Sequence, residues 1–224
     1  SFLKDVEQIQ TEKALMEQEY KGSNNWVVDG TKTSTGKPIL CNDMHLAWML
    51  PGIWTEQHLI SEESGINSYG FAIPGMPMIA VGHNEYVAWG FTNTGFDVLD
   101  WFYYDVVDDE HYIYNESVME YEYRSHQIKV KGGETVDLTV KETVHGPVLN
   151  DFLGNRIPND INNPNIAIAS KWTGNDYFMN LLAGYGFNLA KNRAEFNEAS
   201  KNWDTLAQNI VYADIDGNIG IRPT

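Results

Sequence analysis

Hydrophobic and polar positions alternate with two different periods along this chain. Phe2, Val6, Ile9, Ala14 and Leu15 recur near helical spacing with Glu7, Glu12 and Glu17 between them. That spacing predicts an amphipathic helix over residues 2–15, stopping by Gly22. From Trp26 onward the runs shorten to strand length. Trp26-Val27-Val28 and Pro38-Ile39-Leu40-Cys41 flank a polar loop with Gly30, Ser34, Thr35 and Gly36, which predicts a hairpin. Further strands are predicted at 54–60, 78–81, 87–92 and 98–107, with two or three more within 117–149, where 136–140 alternates well. The Asn-, Asp- and Pro-rich tract 150–165 reads as a long surface loop. Helical periodicity returns at 178–189 and 193–203. Strands at 210–214 and 218–222 then bracket Asp216-Gly217, a strong two-residue hairpin signal. Many strands with helices appended late predict a β-rich α/β (α+β) layered sandwich. The sequence stops straight after its last strand, with no closing helix, which predicts a fold truncated at the C-terminal side.

Composition narrows the function classes. At 224 residues the chain makes one large domain or two small ones. With 42% hydrophobic and 12% aromatic residues it has ample surface to bury, which argues against disorder. The net charge of −16 argues against a nucleic-acid partner and against docking on an anionic membrane, both of which need clustered cations. No apolar run has the length of a membrane span, and the first twenty residues are too acidic for a signal peptide. A single cysteine, Cys41, excludes an internal disulfide framework; it falls in a strand-like run and is expected to be a buried, inert thiol. The six histidines (45, 58, 83, 111, 126 and 145) show no paired metal-ligand spacing, which argues against a zinc enzyme. Gly82-His83-Asn84 reads as a structural turn.

One dipeptide has chemistry of its own. Gly22-Ser23 sits where helix gives way to strand. A serine hydroxyl beside its preceding carbonyl can attack it, forming an ester that water then opens. Cleavage frees Ser23 as a new N-terminus, placing nucleophile and amine on one residue. An α-amine with a pKa of about 7.7–8.0 can serve as its own general base. Gly22 adds no side chain at the attacked carbonyl. The same dipeptide is equally a plain loop after a helix, and a single pair of residues does not choose between the two.

The ordered motifs downstream do. Gly22-Ser23-Asn24-Asn25-Trp26-Val27-Val28 is followed by Gly36-Lys37-Pro38-Ile39-Leu40-Cys41-Asn42-Asp43-Met44-His45-Leu46, then by Pro74-Gly75 and Gly82-His83-Asn84-Glu85. Val87-Ala88-Trp89-Gly90-Phe91-Thr92-Asn93, Asp97-Val98-Leu99-Asp100, Tyr212-Ala213-Asp214 and Gly217-Asn218-Ile219-Gly220 complete the series. Read in that order, the sequence resembles the penicillin acylase (penicillin amidase) family of N-terminal-nucleophile hydrolases from about Ser23 to the end.

The resemblance implies part of a four-layer αββα sandwich, made as one precursor and cut autocatalytically between Gly22 and Ser23. Residues 1–22 are then the end of the upstream chain or a spacer, and 23–224 the N-terminal part of the nucleophile-bearing chain. Ser23 matches the serine that forms an acyl-enzyme with an amide substrate. His45 matches a supporting position that contacts that serine, and Asn93 the residue whose backbone N–H forms half of the oxyanion hole. The other half, a side-chain asparagine, and a supporting arginine are expected beyond Thr224, so this fragment alone is expected to be inactive. Leu46, Val81 and Phe91 match an apolar acyl pocket. Asp97, the carbonyl of Leu99, and Asp100 match part of a structural calcium site in the full-length enzyme; catalysis itself needs no cofactor. The partners implied are a small acylated amine as substrate and the rest of the same precursor, and relatives of this kind point to an extracellular or periplasmic location. A non-catalytic β-rich binding module, in which Ser23 merely begins a strand, is the alternative.

Overall fold

The computed structural model describes residues 22–46, 50–154, 157, 163–176 and 178–224. The helix expected over 2–15 lies outside them. Contacts divide the chain into two compact units: the described residues up to Phe96 with those from 178 onward, and Asp97–Asp176.

The first unit opens with β1 (Gly22–Val28), β2 (Ile39–His45), β3 (Thr55–Ser61), β4 (Ile66–Ala72), β5 (Val81–His83) and β6 (Val87–Asn93). The second unit holds β7 (Leu99–Asp105), β8 (His111–Tyr114), β9 (Ser117–Glu120), β10 (Glu122–Ile128) and β11 (Val136–Thr143). It continues with β12 (Gly146–Pro147), a four-residue helix α1 (Asn150–Leu153) inside the tract expected to be loop, and β13 (Ile166–Trp172). The chain then returns to the first unit with α2 (Asn180–Leu189), α3 (Arg193–Ser200), β14 (Gln208–Asp214) and β15 (Ile219–Pro223).

In the first unit six strands form an antiparallel sheet in the order β15-β14-β6-β5-β4-β3. Alternation decides its faces. Val87, Trp89 and Phe91 of β6 and Ile210 and Tyr212 of β14 point to one side, where they pack with Ala183 and Phe187 of α2 and Phe196 of α3. Phe187 is wholly buried and stacks on Phe196 at a centroid distance of 4.4 Å. Each such aromatic side chain contributes about 1.5–3 kcal/mol through the apolar area it removes from water. Asn188 of α2 is also buried, and its amide exchanges hydrogen bonds of 3.0 and 3.1 Å with the backbone of Ile79. At Ile79 this amide stands where a strand partner would, and β5 begins at Val81. The Asp216-Gly217 turn joins β14 to β15 as expected, with Gly217 at φ 92°.

The second unit pairs β7 with β13, β8 with β9, and β11 with both β10 and β12. Its core is aromatic: Tyr104, Tyr112 and Tyr121 pack with Ala167 and Ala169. His145 stacks on Phe102 at 3.7 Å and shares a hydrogen bond with the Tyr104 hydroxyl.

Candidate active site

Ser23 lies in the β1-β2 hairpin, which crosses the sheet face opposite the helices. Residues paired across an antiparallel ladder share a face. Asn25 pairs with Asn42, Ser23 with Met44 and Val27 with Leu40. Asn42 and Asn25 both reach the large sheet. Asn42 Nδ2 donates to Phe91 O and Phe91 N–H to Asn42 Oδ1, both at 2.9 Å, while Asn25 Nδ2 donates to Asn209 O at 3.1 Å. Ser23 therefore points its side chain toward the sheet, with Gly22, Asn24, Asp43 and His45 on the outer face. The Ser23 hydroxyl donates to Gly22 O at 2.6 Å and is partly accessible. The peptide bond between these residues is thus flanked by the hydroxyl that could attack it.

The hairpin has a defined direction over the sheet. Lys37 Nζ, near its turn, donates to the carbonyl of Ile215 at 3.1 Å, just beyond the Asp214 end of β14. The open end of the hairpin, with Ser23 and His45, consequently lies toward the other end of β14 and toward Asn93, which pairs with Gln208. Asn209 extends the link: its side chain donates to Thr92 Oγ1 at 3.2 Å and to Asn93 O at 3.4 Å.

Among the described residues, the main-chain N–H of Asn93 has no acceptor. Thr94 N–H donates to Ala207 O, and Gln208 exchanges its backbone bonds with Thr224 on the β15 side. Antiparallel pairs alternate between bonded and non-bonded, so Asn93 and Gln208 form a non-bonded pair and Asn93 N–H points away from β14. On that side β5 has ended, and among the described residues no group accepts from it. Phe91, two residues earlier and in the same orientation, is satisfied by Asn42 instead.

His45 occupies the outer face. Its Nε2 hydrogen-bonds Asp43 Oδ2 at 2.9 Å, and its Nδ1 would lie 3.5 Å from a methyl group on Gly22, its ladder partner. The expected contact between His45 and the serine hydroxyl is not present among the described residues: the two side chains lie on opposite faces of the hairpin, and His45 stands beside the glycine of the pair.

The expected pocket residues separate. Leu46 is exposed at the end of β2. Phe91, 9% exposed, points with Trp89 to the helix face, away from Ser23. Val81, 4% exposed, adjoins Gly82, the ladder partner of Trp89, and so points to the opposite face, the one the hairpin covers. Asp97, Leu99 and Asp100 are all exposed in the second unit, and Asp100 lies opposite Lys171 in the β7-β13 ladder. Two carboxylates and one carbonyl fall short of the about six to eight oxygens calcium takes. No cluster of three His, Cys, Asp or Glu suited to a metal occurs among the described residues. These residues alone do not fit the ion. Cys41 is partly exposed on the outer face of β2 and is not buried. His83 is exposed and bonds the carbonyl of Asn84, but Gly82 and His83 belong to strand β5, so the turn expected over 82–84 begins only at Asn84, whose side chain accepts from Tyr86 and Val87 N–H.

Sequence reasoning assigned no role to Asn25, Asn42 or Asn209, which dock the nucleophile strand. Their signal is an asparagine at an inward position of a strand, where a buried amide needs partners.

Comparison with known proteins bears on the family and the fold. The family model for penicillin amidase matches residues 3–224. The chain is 27% identical over 202 residues to the penicillin acylase 2 proenzyme of Pseudomonas sp. (strain SE83), covering 89% of this chain and 25% of that protein. It is 26% identical over 210 residues to the acyl-homoserine lactone acylase QuiP of Pseudomonas aeruginosa, covering 90% and 24%. A solved structure of thermostable penicillin G acylase from Alcaligenes faecalis superposes with a TM-score of 0.75 at 26% identity, covering 89% of this chain and 34% of that one. The fold is that of an N-terminal-nucleophile hydrolase, present in part. The chain belongs to the penicillin amidase family, and it spans about a quarter of the length of these curated relatives.

Proposed function

We propose that this chain is the nucleophile-bearing part of an amide hydrolase of the penicillin acylase type, cut between Gly22 and Ser23 to expose the nucleophile. In the cut protein the Ser23 amine takes the proton of the Ser23 hydroxyl as the oxygen attacks the carbonyl of an N-acyl amide. The amide nitrogen leaves as the free amine, and water then opens the acyl-enzyme. Asn93 N–H donates to the oxyanion, and one such preorganised donor lowers the barrier by about 3–4 kcal/mol. The rest of the precursor supplies the second donor and most of the acyl pocket; Leu46 is the candidate this chain contributes. The relatives' names point to an acylated amine, such as a penicillin or an acyl-homoserine lactone, as substrate. An extracellular or periplasmic location goes with this reading.

The observation that carries it is the Ser23 hydroxyl held 2.6 Å from the Gly22 carbonyl oxygen, at the end of a hairpin directed toward the N–H of Asn93. The test is turnover of an N-acyl amide by the full-length protein, in preparations separated into cut and uncut forms. Turnover is expected only where Ser23 is a chain terminus, because an amide nitrogen cannot act as the base. Turnover by a wholly uncut preparation would refute the mechanism.

A further inference from the structure

The position of His45 beside Gly22, across the hairpin from the Ser23 side chain, bears on how the cut is completed. This inference rests on the reading that the Gly22–Ser23 bond is cleaved. Cleavage has two steps. First the Ser23 oxygen bonds to the Gly22 carbonyl carbon, the C–N bond breaks, and the nitrogen gains the proton that the hydroxyl loses, which leaves an ester. Then water bonds to the same carbon, the C–O bond to Ser23 breaks, and the serine oxygen takes a proton. The second step needs a base beside Gly22.

We infer that His45, oriented by Asp43, activates the water that opens this ester. A carboxylate only accepts hydrogen bonds, so the contact of Asp43 Oδ2 with His45 Nε2 at 2.9 Å places the ring proton on Nε2 and leaves the lone pair on Nδ1. That atom faces Gly22, and the place a methyl would take, 3.5 Å away, is left open by the glycine. A base that reaches its target through one water fits this distance. His45 Nδ1 accepts a proton from water as the oxygen bonds to the Gly22 carbon and later releases it to solvent, while the departing Ser23 oxygen, on the other face of the hairpin, takes a proton from solvent. The products are the Gly22 carboxylate, once its proton is lost, and Ser23 with a free amine and a free hydroxyl. Asp43 is a positioning residue in this scheme.

The experiment uses the full-length precursor with His45→Ala, Asp43→Ala and Asp43→Glu, following the fraction cut by intact mass, with and without hydroxylamine. Hydroxylamine attacks esters directly, so it substitutes for activated water. His45→Ala is expected to slow cutting about a hundredfold, and Asp43→Ala about tenfold. Hydroxylamine should restore cutting in both and leave a hydroxamate on Gly22, and Asp43→Glu should recover part of the rate unaided. Cutting of His45→Ala at the unchanged rate would overturn the inference. So would slow cutting that hydroxylamine does not restore, since His45 would then act before the ester or only on folding. Failure of the unaltered precursor to be cut, with or without hydroxylamine, would overturn the proposed function itself, and this inference with it.

Discussion

Asn42 and Phe91 exchange two hydrogen bonds of 2.9 Å each, so that a side-chain amide stands where a neighbouring strand would otherwise satisfy the β6 backbone. This pair ties the hairpin carrying Ser23 to the strand that ends at Asn93. Close approach is possible because residue 90 is glycine: a Cβ there would lie 2.7 Å from Asn42 Oδ1. Asn42→Leu leaves both Phe91 groups without a partner and is expected to cost about 1–3 kcal/mol. Gly90→Ala, by pushing the hairpin away, is expected to cost a similar amount, about 1–3 kcal/mol. Both should slow cleavage at Gly22. Urea unfolding of the full-length protein checks the first expectation, and unchanged midpoints would show that the hairpin is held by other contacts.

A second expectation concerns acid. Asp214 is 5% exposed and accepts from the Tyr212 hydroxyl and from Asn218 N–H at 2.8 Å. Burial pushes its carboxyl up, but these hydrogen bonds together outweigh burial and hold it below the usual carboxylate range. A depressed folded-state value means stability that is fully present above the ordinary pKa of about 3.9 and lost as pH falls through the folded value. Asp214→Asn should flatten the loss of stability below about pH 4. An acid-unfolding curve identical to that of the unaltered protein would contradict this.

The second unit is expected to weaken at a higher pH. Burial against Phe102 and Tyr104, and then the charge of Lys171, lower the His145 pKa, so the folded state favours the neutral ring. The unfolded chain takes up a proton near the ordinary pKa of about 6.5. Stability from this group is therefore complete above that value and falls as pH drops through the folded one. Hydrogen exchange of amides in β7 and β13 should accelerate below about pH 6.5, and His145→Phe should remove that acceleration. Equal pH dependence in both proteins would rule His145 out as the cause.

Much of the fold was legible where local signals are strong. The β14-β15 hairpin announced itself through Asp216-Gly217, and β6 through Val87, Trp89 and Phe91 at alternate positions. Strands β4, β8 and β13 were missed. In β4, Asn67, Ser68 and Gly70 dilute the apolar signal, and β13 follows directly on the Asn-rich tract. The strand expected at 78–81 failed for a different reason: its backbone partner is Asn188, more than a hundred residues away, which no local period reveals. The same limit applied at the site. Ser23, Gly22 and Asn93 could be named from ordered motifs, but the face on which each side chain lies depends on register. Register moved Phe91 from an expected pocket into the core beneath the helices, left Val81 on the hairpin face, and placed His45 beside Gly22 instead of against the Ser23 hydroxyl.

Intact mass of the full-length protein, compared with its Ser23→Ala variant, tests the central claim most directly. Two chains divided between Gly22 and Ser23, with the alanine variant left as one, is the expected result. A Ser23→Ala protein cut at the same bond, or an unaltered full-length protein that stays whole under conditions where it is folded, would contradict it.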